Sequence, residues 1–287
     1  MKLVTDCAAD LTKEEKTELG IIVAPLFINF PGENVNSEDI EPDDFYHRLK
    51  AMIPHVPTTS MPSAGTFAAI YRKLAELGEE ILSIHISSGL SGTINAARLG
   101  AEQVQEAGVT FFDSQTLSGG QRFQVLAAIQ ALKAGWSKQA LLERLERIRT
   151  STEVIYTLET LSYLARGGRI GRVQALAGSL LNLKPLIHVD KVDGKYSTVG
   201  KERTMRRAVS SLVDHLVKLY GTQTQLWVTV LHGQFEEKAA EMATQLKERL
   251  NVGKLEILRI SPVLGVHTGP GIVGAAVAPL DLIEGIR

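Results

Sequence analysis

Small polar residues and glycines gather in five short stretches of this chain: Thr5–Asp10, Pro57–Ser63, Ser87–Thr93, Gly167–Gly171 and His267–Gly274. Two of them precede helix-like sequence, one carrying Thr59 and Ser60 and the other Ser91 and Gly92. Hydroxyls and free backbone N–H groups at a helix N-terminus attract an anion such as phosphate or carboxylate. Plain helix capping uses the same residue types. Two such loops in adjacent crossovers favour a ligand site over two independent caps. His267 and Thr268 supply a further polar pair in the fifth stretch.

Several enzyme chemistries fail on spacing. Gly269-x-Gly271-x-x-Gly274 matches the letters of a dinucleotide fingerprint. It lacks the strand–turn–helix context and the acidic residue about 20 positions on, and Pro270 removes an N–H where phosphate contacts are needed. No Gly-x-Ser-x-Gly elbow and no Gly-x-x-x-x-Gly-Lys-Ser/Thr phosphate loop occurs. The seven histidines (47, 55, 85, 188, 215, 232, 267) show no metal-ligand spacing, so no metal and no cofactor are expected. His85, inside an apolar run, reads as a core histidine. Asp6 and Asp10 suit either acid–base or Mg²⁺ work or, more simply, helix capping. Ser91 with His267 would make a nucleophile–base pair if the fold brings them together, which leaves a serine hydrolase or acyltransferase as the alternative reading.

The elements that must hold these loops alternate between strand and helix. Leu3–Thr5, Ile21–Phe30, Ile81–Ile86 and Val109–Phe112 read as buried strands. Helical spacing links Phe67, Ile70, Tyr71, Leu74 and Leu77, and again Leu141, Leu142, Leu145 and Ile148. Such alternation predicts an N-terminal Rossmann-like three-layer α/β/α domain with a parallel sheet. The two anion loops would lie at the carboxyl ends of its strands, with Pro62 in the first turn of the next helix and Ser60 or Met61 near its cap. The second half differs. Pro185–Asp190 and Lys195–Val199 flank Val192-Asp193-Gly194, a hairpin signal. Strands at Val154–Leu158, Leu226–Leu231 and Leu255–Ile260 and helices around Val209–Leu216 and Ala239–Leu250 complete a C-terminal α/β domain with a mixed sheet. The boundary falls after the charged helix Ser137–Thr150, giving domains 1–153 and 154–287. Val173–Leu183 reads as a helix with no charge on any face, buried or covering an apolar ligand. Beside it, Arg166–Arg172 is a basic turn suited to an acidic partner or a phosphate.

Composition narrows the class. The 287 residues carry 31 Lys and Arg against 32 Asp and Glu, a net charge of −1. That argues against a sequence-independent nucleic-acid binder. Hydrophobic residues make up 44% and mean hydropathy is +0.04, slightly apolar. Yet no run of 18 apolar residues exists, and the first residues lack a signal-peptide stretch. One cysteine, Cys7, excludes an internal disulfide. A soluble cytoplasmic protein is expected.

Together these loops resemble one family. Thr5-Asp6-x-x-Ala9-Asp10, Thr59-Ser60-Met61-Pro62-Ser63, Ser87-Ser88-Gly89-Leu90-Ser91-Gly92-Thr93, Tyr163-Leu164-x-x-Gly167-Gly168-Arg169-Ile170, Lys184-Pro185 and His267-x-Gly269-Pro270-Gly271 are similar, in order and nearly end to end, to the DegV family. The resemblance implies a two-domain α/β protein that binds one long-chain fatty acid, such as palmitate, in a tunnel between its domains. It implies a carrier subunit and not an enzyme. A partner fatty acid kinase with a dihydroxyacetone-kinase-like ATP domain would phosphorylate the carboxylate for phospholipid synthesis. Thr59 and Ser91, with Ser60 and Gly92, would hold the carboxylate, His267 and Thr268 would lie beside it, and Arg169 would meet the kinase. Transient membrane contact belongs to the same expectation, and nucleic acid does not. The family usually has Ser where Cys7 stands and Gln where Met61 stands. Burial at about 0.8 kcal/mol per CH₂ gives a sixteen-carbon chain on the order of 11 kcal/mol gross, enough to hold a ligand without covalent chemistry.

Overall fold

The computed structural model describes residues 1–174 and 183–285. The first half runs β1 (Lys2–Asp6), a single 3-10 turn (Cys7–Ala9), α1 (Lys13–Leu19), β2 (Ile22–Ala24), β3 (Phe27–Phe30), β4 (Glu33–Asn36), α2 (Pro42–Ala51), β5 (Thr58–Ser60), α3 (Ala64–Glu76), β6 (Ile81–His85), α4 (Thr93–Ala101), β7 (Val109–Asp113), α5 (Ser118–Lys133) and α6 (Lys138–Ser151). The second half runs β8 (Glu153–Leu158), α7 (Ser162–Arg166), β9 (Lys184–Val189), β10 (Tyr196–Glu202), α8 (Met205–Tyr220), β11 (Leu226–His232), α9 (Glu236–Arg249), β12 (Val252–Arg259), α10 (Pro262–Thr268), β13 (Ile272–Pro279) and α11 (Leu280–Glu284).

The expected α/β class holds, with one parallel and one mixed sheet. The parallel sheet has the order β2-β1-β6-β7. The mixed sheet has the order β10-β9-β8-β13-β11-β12 and only β11 and β12 pair in parallel. The Asp193-Gly194 signal is a true hairpin: β9 and β10 pair antiparallel, and Gly194 takes a φ of 65° that suits glycine.

Period-2 alternation shows how the two sheets stack. In β11, Val228 and Val230 face α8 and α9, while Trp227 and Leu231 face the opposite way, into the core shared with α5. In β1, Leu3 joins that same core and Val4 packs outward against Phe67 and Tyr71 of α3. Helix α5 packs on β1 and β6 on one side and on β13 and β8 on the other. One helical layer thus serves both sheets. Gly119 and Gly120 let α5 approach the mixed sheet: a Cβ at Gly119 would stand 2.6 Å from Ala276 Cβ.

Three sequence expectations need correction. Ile21–Phe30 is not one strand. Pro25 has no N–H to donate, and the run divides into β2 in the parallel sheet and β3 in a separate antiparallel sheet of order β4-β3-β5. The Thr59–Ser60 segment therefore lies on β5 of that small sheet and not at the end of a parallel strand. The helix after it is capped by Ser63, whose Oγ accepts from Thr66 N at 3.0 Å, so neither Ser60 nor Met61 caps it and Pro62 precedes the helix. Helix α5 is buried along most of its length, with 13 of its 16 residues buried and Lys133 exposed at its end. The expected Val173–Leu183 helix lies almost wholly outside the described residues.

Burying α5 on both faces also buries Arg122, 2% exposed. Its guanidinium is held by Glu15 of α1, with Nε donating at 2.9 Å, and by Glu256 of β12, with Nη2 donating at 3.1 Å. Glu256 also accepts from Trp227 Nε1 and Thr229 Oγ1, each at 2.8 Å. These donors hold the Glu256 carboxyl below its ordinary range despite the opposing effect of burial. Removing one partner of such a cluster leaves uncompensated charge. Arg122→Ala is expected to cost about 3–5 kcal/mol, read as a lower urea midpoint with an unchanged slope.

Candidate functional site

The carboxyl ends of β1, β6 and β7 face α10 and the β9–β10 turn. Asp6, at the end of β1, accepts from Ala8 N at 3.1 Å and from Ile86 N at 3.0 Å. It also contacts His85 Nδ1 at 2.9 Å, and His85 Nε2 reaches Ser83 Oγ at 2.7 Å. His85 is thus a satisfied core histidine and Asp6 a capping residue. Asp10 does not pair with Asp6. It accepts from Ser118 Oγ and from Ser261 N, and burial, partly offset by those donors, pushes its carboxyl up to about 6. Both aspartates accept hydrogen bonds from within the protein, and they do not form a carboxylate pair. Among the described residues no group of three His, Cys, Asp or Glu could hold a metal ion.

The loop Ser87–Thr93 is locked in place from across the molecule. Ser87 Oγ donates to Gly194 O at 2.8 Å in the hairpin turn. A Cβ on Gly89 would stand 2.4 Å from Asp193 O, so the turn sits directly on the loop. The basic turn is fixed in a similar way. Gly167 packs on His267, where a Cβ would stand 2.2 Å from Nδ1. Two sequence motifs more than 90 positions apart are therefore in van der Waals contact.

These contacts enclose a cavity of about 440 Å³. Thr59, Ser60, Ser91, Gly92, His267 and Arg169 all line it. Thr59 Oγ1 and His267 Nε2 are 2.8 Å apart. Ser91 Oγ pairs with Thr93 Oγ1 at 2.8 Å, and Gly92 stands at the N-terminus of α4. Among the described residues, Arg169 is the only charged one in the lining, and no carboxylate stands there. Burial first, and then Arg169, lower the His267 imidazole to about 4, so it is neutral at neutral pH. A cavity of hydroxyls, a helix N-terminus, a neutral imidazole and one arginine suits an anion.

Thr268 is placed differently. Its Oγ1 donates to Leu264 O at 3.1 Å, and it lines a second cavity of about 30 Å³. This one lies between the start of α5 and the mixed sheet, walled by Leu117, Val154, Tyr156, Leu231, Ile272 and others. Tyr196 and Leu264 line both cavities and stand at their junction. Sequence reasoning missed Tyr196, because an aromatic residue opening a strand reads as core.

The nucleophile–base pair does not form. His267 Nε2 bonds Thr59 and not Ser91, and among the described residues His267 Nδ1 has no hydrogen-bond partner to orient the ring. A Ser–His relay needs both contacts.

The family model of the DegV family, described as uncharacterised proteins, matches residues 1–280. This chain belongs to the DegV family. A DegV domain-containing protein of Deinococcus radiodurans is 38% identical over 257 residues, covering 90% of this chain and 88% of the relative. A DegV family protein from Thermus thermophilus, described as binding fatty acid, superposes with a TM-score of 0.90 at 33% identity, covering 97% of this chain and 99% of its own. A stearic-acid-binding protein from Eubacterium ventriosum superposes with a TM-score of 0.88 at 29% identity, covering 97% and 98%. No helix among the described residues is long and apolar enough to cross a membrane.

The electrostatics of His267 are measurable. The folded protein resists protonating it until about pH 4, against 6.5 for an ordinary imidazole. Between those values the unfolded state binds more protons, so acidification through this window removes stability, whereas above pH 6.5 the group adds no slope. His267→Asn is expected to lose a smaller part of its melting temperature between pH 7 and 5 than the wild type does; an identical loss would contradict the buried, neutral imidazole.

Proposed function

We propose that this protein is a carrier of long-chain fatty acid. The observation that bears the most weight is the adjacency of the two cavities: a polar one with no carboxylate among its described residues, and a carbon-walled one reached past Tyr196 and Leu264. The fatty-acid carboxylate would rest on the hydroxyls of Thr59, Ser60 and Ser91, the N–H groups near Gly92 and the His267 ring. Its acyl chain would run past Thr268 between the two proposed domains, 1–153 and 154–287. The inner cavity as it stands has room for about one water, so loading requires its walls to part. The DegV proteins described as binding fatty acid support this reading.

The finer proposal is that the chain presents the carboxylate to a dihydroxyacetone-kinase-like fatty acid kinase. The carboxylate itself attacks phosphate, so no residue of this chain needs to be catalytic. Arg169 is exposed and lines the cavity, which suits a role at the junction with such a kinase. The acyl phosphate would feed phospholipid synthesis in the cytoplasm, with the fatty acid, palmitate for example, exchanged during brief membrane contact.

Organic extraction of the purified protein, followed by mass spectrometry, is expected to release fatty acid. Clean extracts from several preparations, with no uptake of added palmitate, would sink the reading. Thr59→Ala combined with Ser91→Ala removes two donors to a charged group and is expected to weaken palmitate binding roughly tenfold or more. Arg169→Ala is expected to keep lipid binding and to lower phosphorylation by the kinase; loss of lipid binding instead would place Arg169 in the anion site alone.

A further inference from the structure

One sulfur borders the anion cavity. Met61 lines it with Thr59 and Ser91. Its side chain packs on Gly92, where an added Cβ would stand 2.9 Å from Met61 Sδ. Met61 is 48% exposed. The other four methionines are less accessible: Met242 is fully buried, and Met1, Met52 and Met205 are partly buried. Cys7, the one cysteine, is buried. Burial, reinforced by the charge of Asp6, pushes its thiol well above the ordinary value, so it offers almost no reactive thiolate. Of the six sulfurs in the chain, Met61 is the one that a small oxidant in solvent meets first.

We propose that Met61 is a modification site: a hydroperoxide transfers an oxygen atom to its thioether, and the sulfoxide weakens anion binding in the adjoining cavity. The identity of the anion rests on the fatty-acid carrier reading; the site of modification does not. In the step, a sulfur lone pair attacks one peroxide oxygen. The S–O bond forms as the O–O bond breaks. The departing oxygen takes the proton of the transferred hydroxyl and leaves as water, or as an alcohol from an organic hydroperoxide. Sulfur loses two electrons and the peroxide gains them.

The consequence follows from charge. A thioether is nearly apolar, whereas a sulfoxide carries a strong dipole with its negative end on oxygen, and it accepts hydrogen bonds without donating any. Added beside Gly92, that oxygen would stand near the first turn of α4, where Thr93 N donates to Ser91 Oγ and the next N–H groups have no partners within the helix. It would compete with a carboxylate for those donors and repel it across the cavity. A sulfoxide reductase reverses the change.

The test treats the full-length protein with hydrogen peroxide in graded doses. Peptide mass mapping follows the added oxygen, and radiolabelled palmitate binding is measured on the same samples. The expected result is that Met61 gains oxygen before any other methionine and that affinity falls roughly tenfold in step with it. Methionine sulfoxide reductase should restore both. Met61→Leu, compared with itself before and after peroxide, should show no such fall. Oxygen uptake elsewhere first, affinity unchanged in fully oxidised Met61 protein, or an equal fall in Met61→Leu would each overturn the inference. Untreated protein that takes up no palmitate would overturn the carrier reading and the proposed effect on binding together, while the mass map would still report whether Met61 is the oxidised residue.

Discussion

A helix packed between two sheets has almost no face to give to water, and α5 is such a helix. It forms a common inner layer for the parallel and the mixed sheet. Everything near the site follows from that constraint. Its one buried charge, Arg122, must be neutralised in place, and Glu15 and Glu256 reach it from opposite halves of the chain. Its first residues must approach closely, so Gly119 and Gly120 stand there. With the two sheets held against one helix, the loops at the ends of β1 and β6 meet the β9–β10 turn and α10. The polar cavity is what remains at this seam.

The seam carries backbone strain. The three non-glycine residues with left-handed backbone among those described are Asp10, Gln115 and Ser118. All three border it. Asp10 accepts from Ser118 and from the start of α10, and Gln115 lies against Gly194 of the hairpin turn. Such conformations persist only where surrounding contacts over-determine them. For Asp10 and Ser118 those contacts are hydrogen bonds between distant segments, and the bond from Asp10 to Ser261 holds the start of α10, the helix that carries His267. Positioning of the anion site and the cohesion of the two halves are the same set of interactions.

Much of this was legible in the sequence. The parallel strands announce themselves as short β-branched runs between turn residues, and Asp193-Gly194 marks the hairpin. Thr59, Ser91 and His267 stood out as hydroxyl and imidazole groups in loops, and they do meet around one cavity. The small antiparallel sheet was hidden. Its strands are three or four residues long, β5 is Thr-Thr-Ser with no apolar alternation, and only Pro25 hinted at the break before β3. Helix α5 was hidden for another reason: Gln121, Arg122 and Gln124 are residue types usually left in water, yet tertiary partners satisfy Arg122 in the interior. Tyr196 left no signal, because its position at the junction of two cavities depends on how separate elements pack.

The place of β13 in the mixed sheet bears on how the molecule is made. It is the last strand among the described residues, yet it lies in the middle of the sheet, between β8 and β11. A chain emerging from the ribosome can complete the parallel sheet and lay α5 on it early. The other face of α5 then has no β13 to cover it until the long stretch from α6 to β13 has also been made, a wait on the order of ten seconds at ordinary rates of synthesis. During that interval the nascent protein presents a broad apolar surface, and it is at this stage of its life that it would draw most on molecular chaperones.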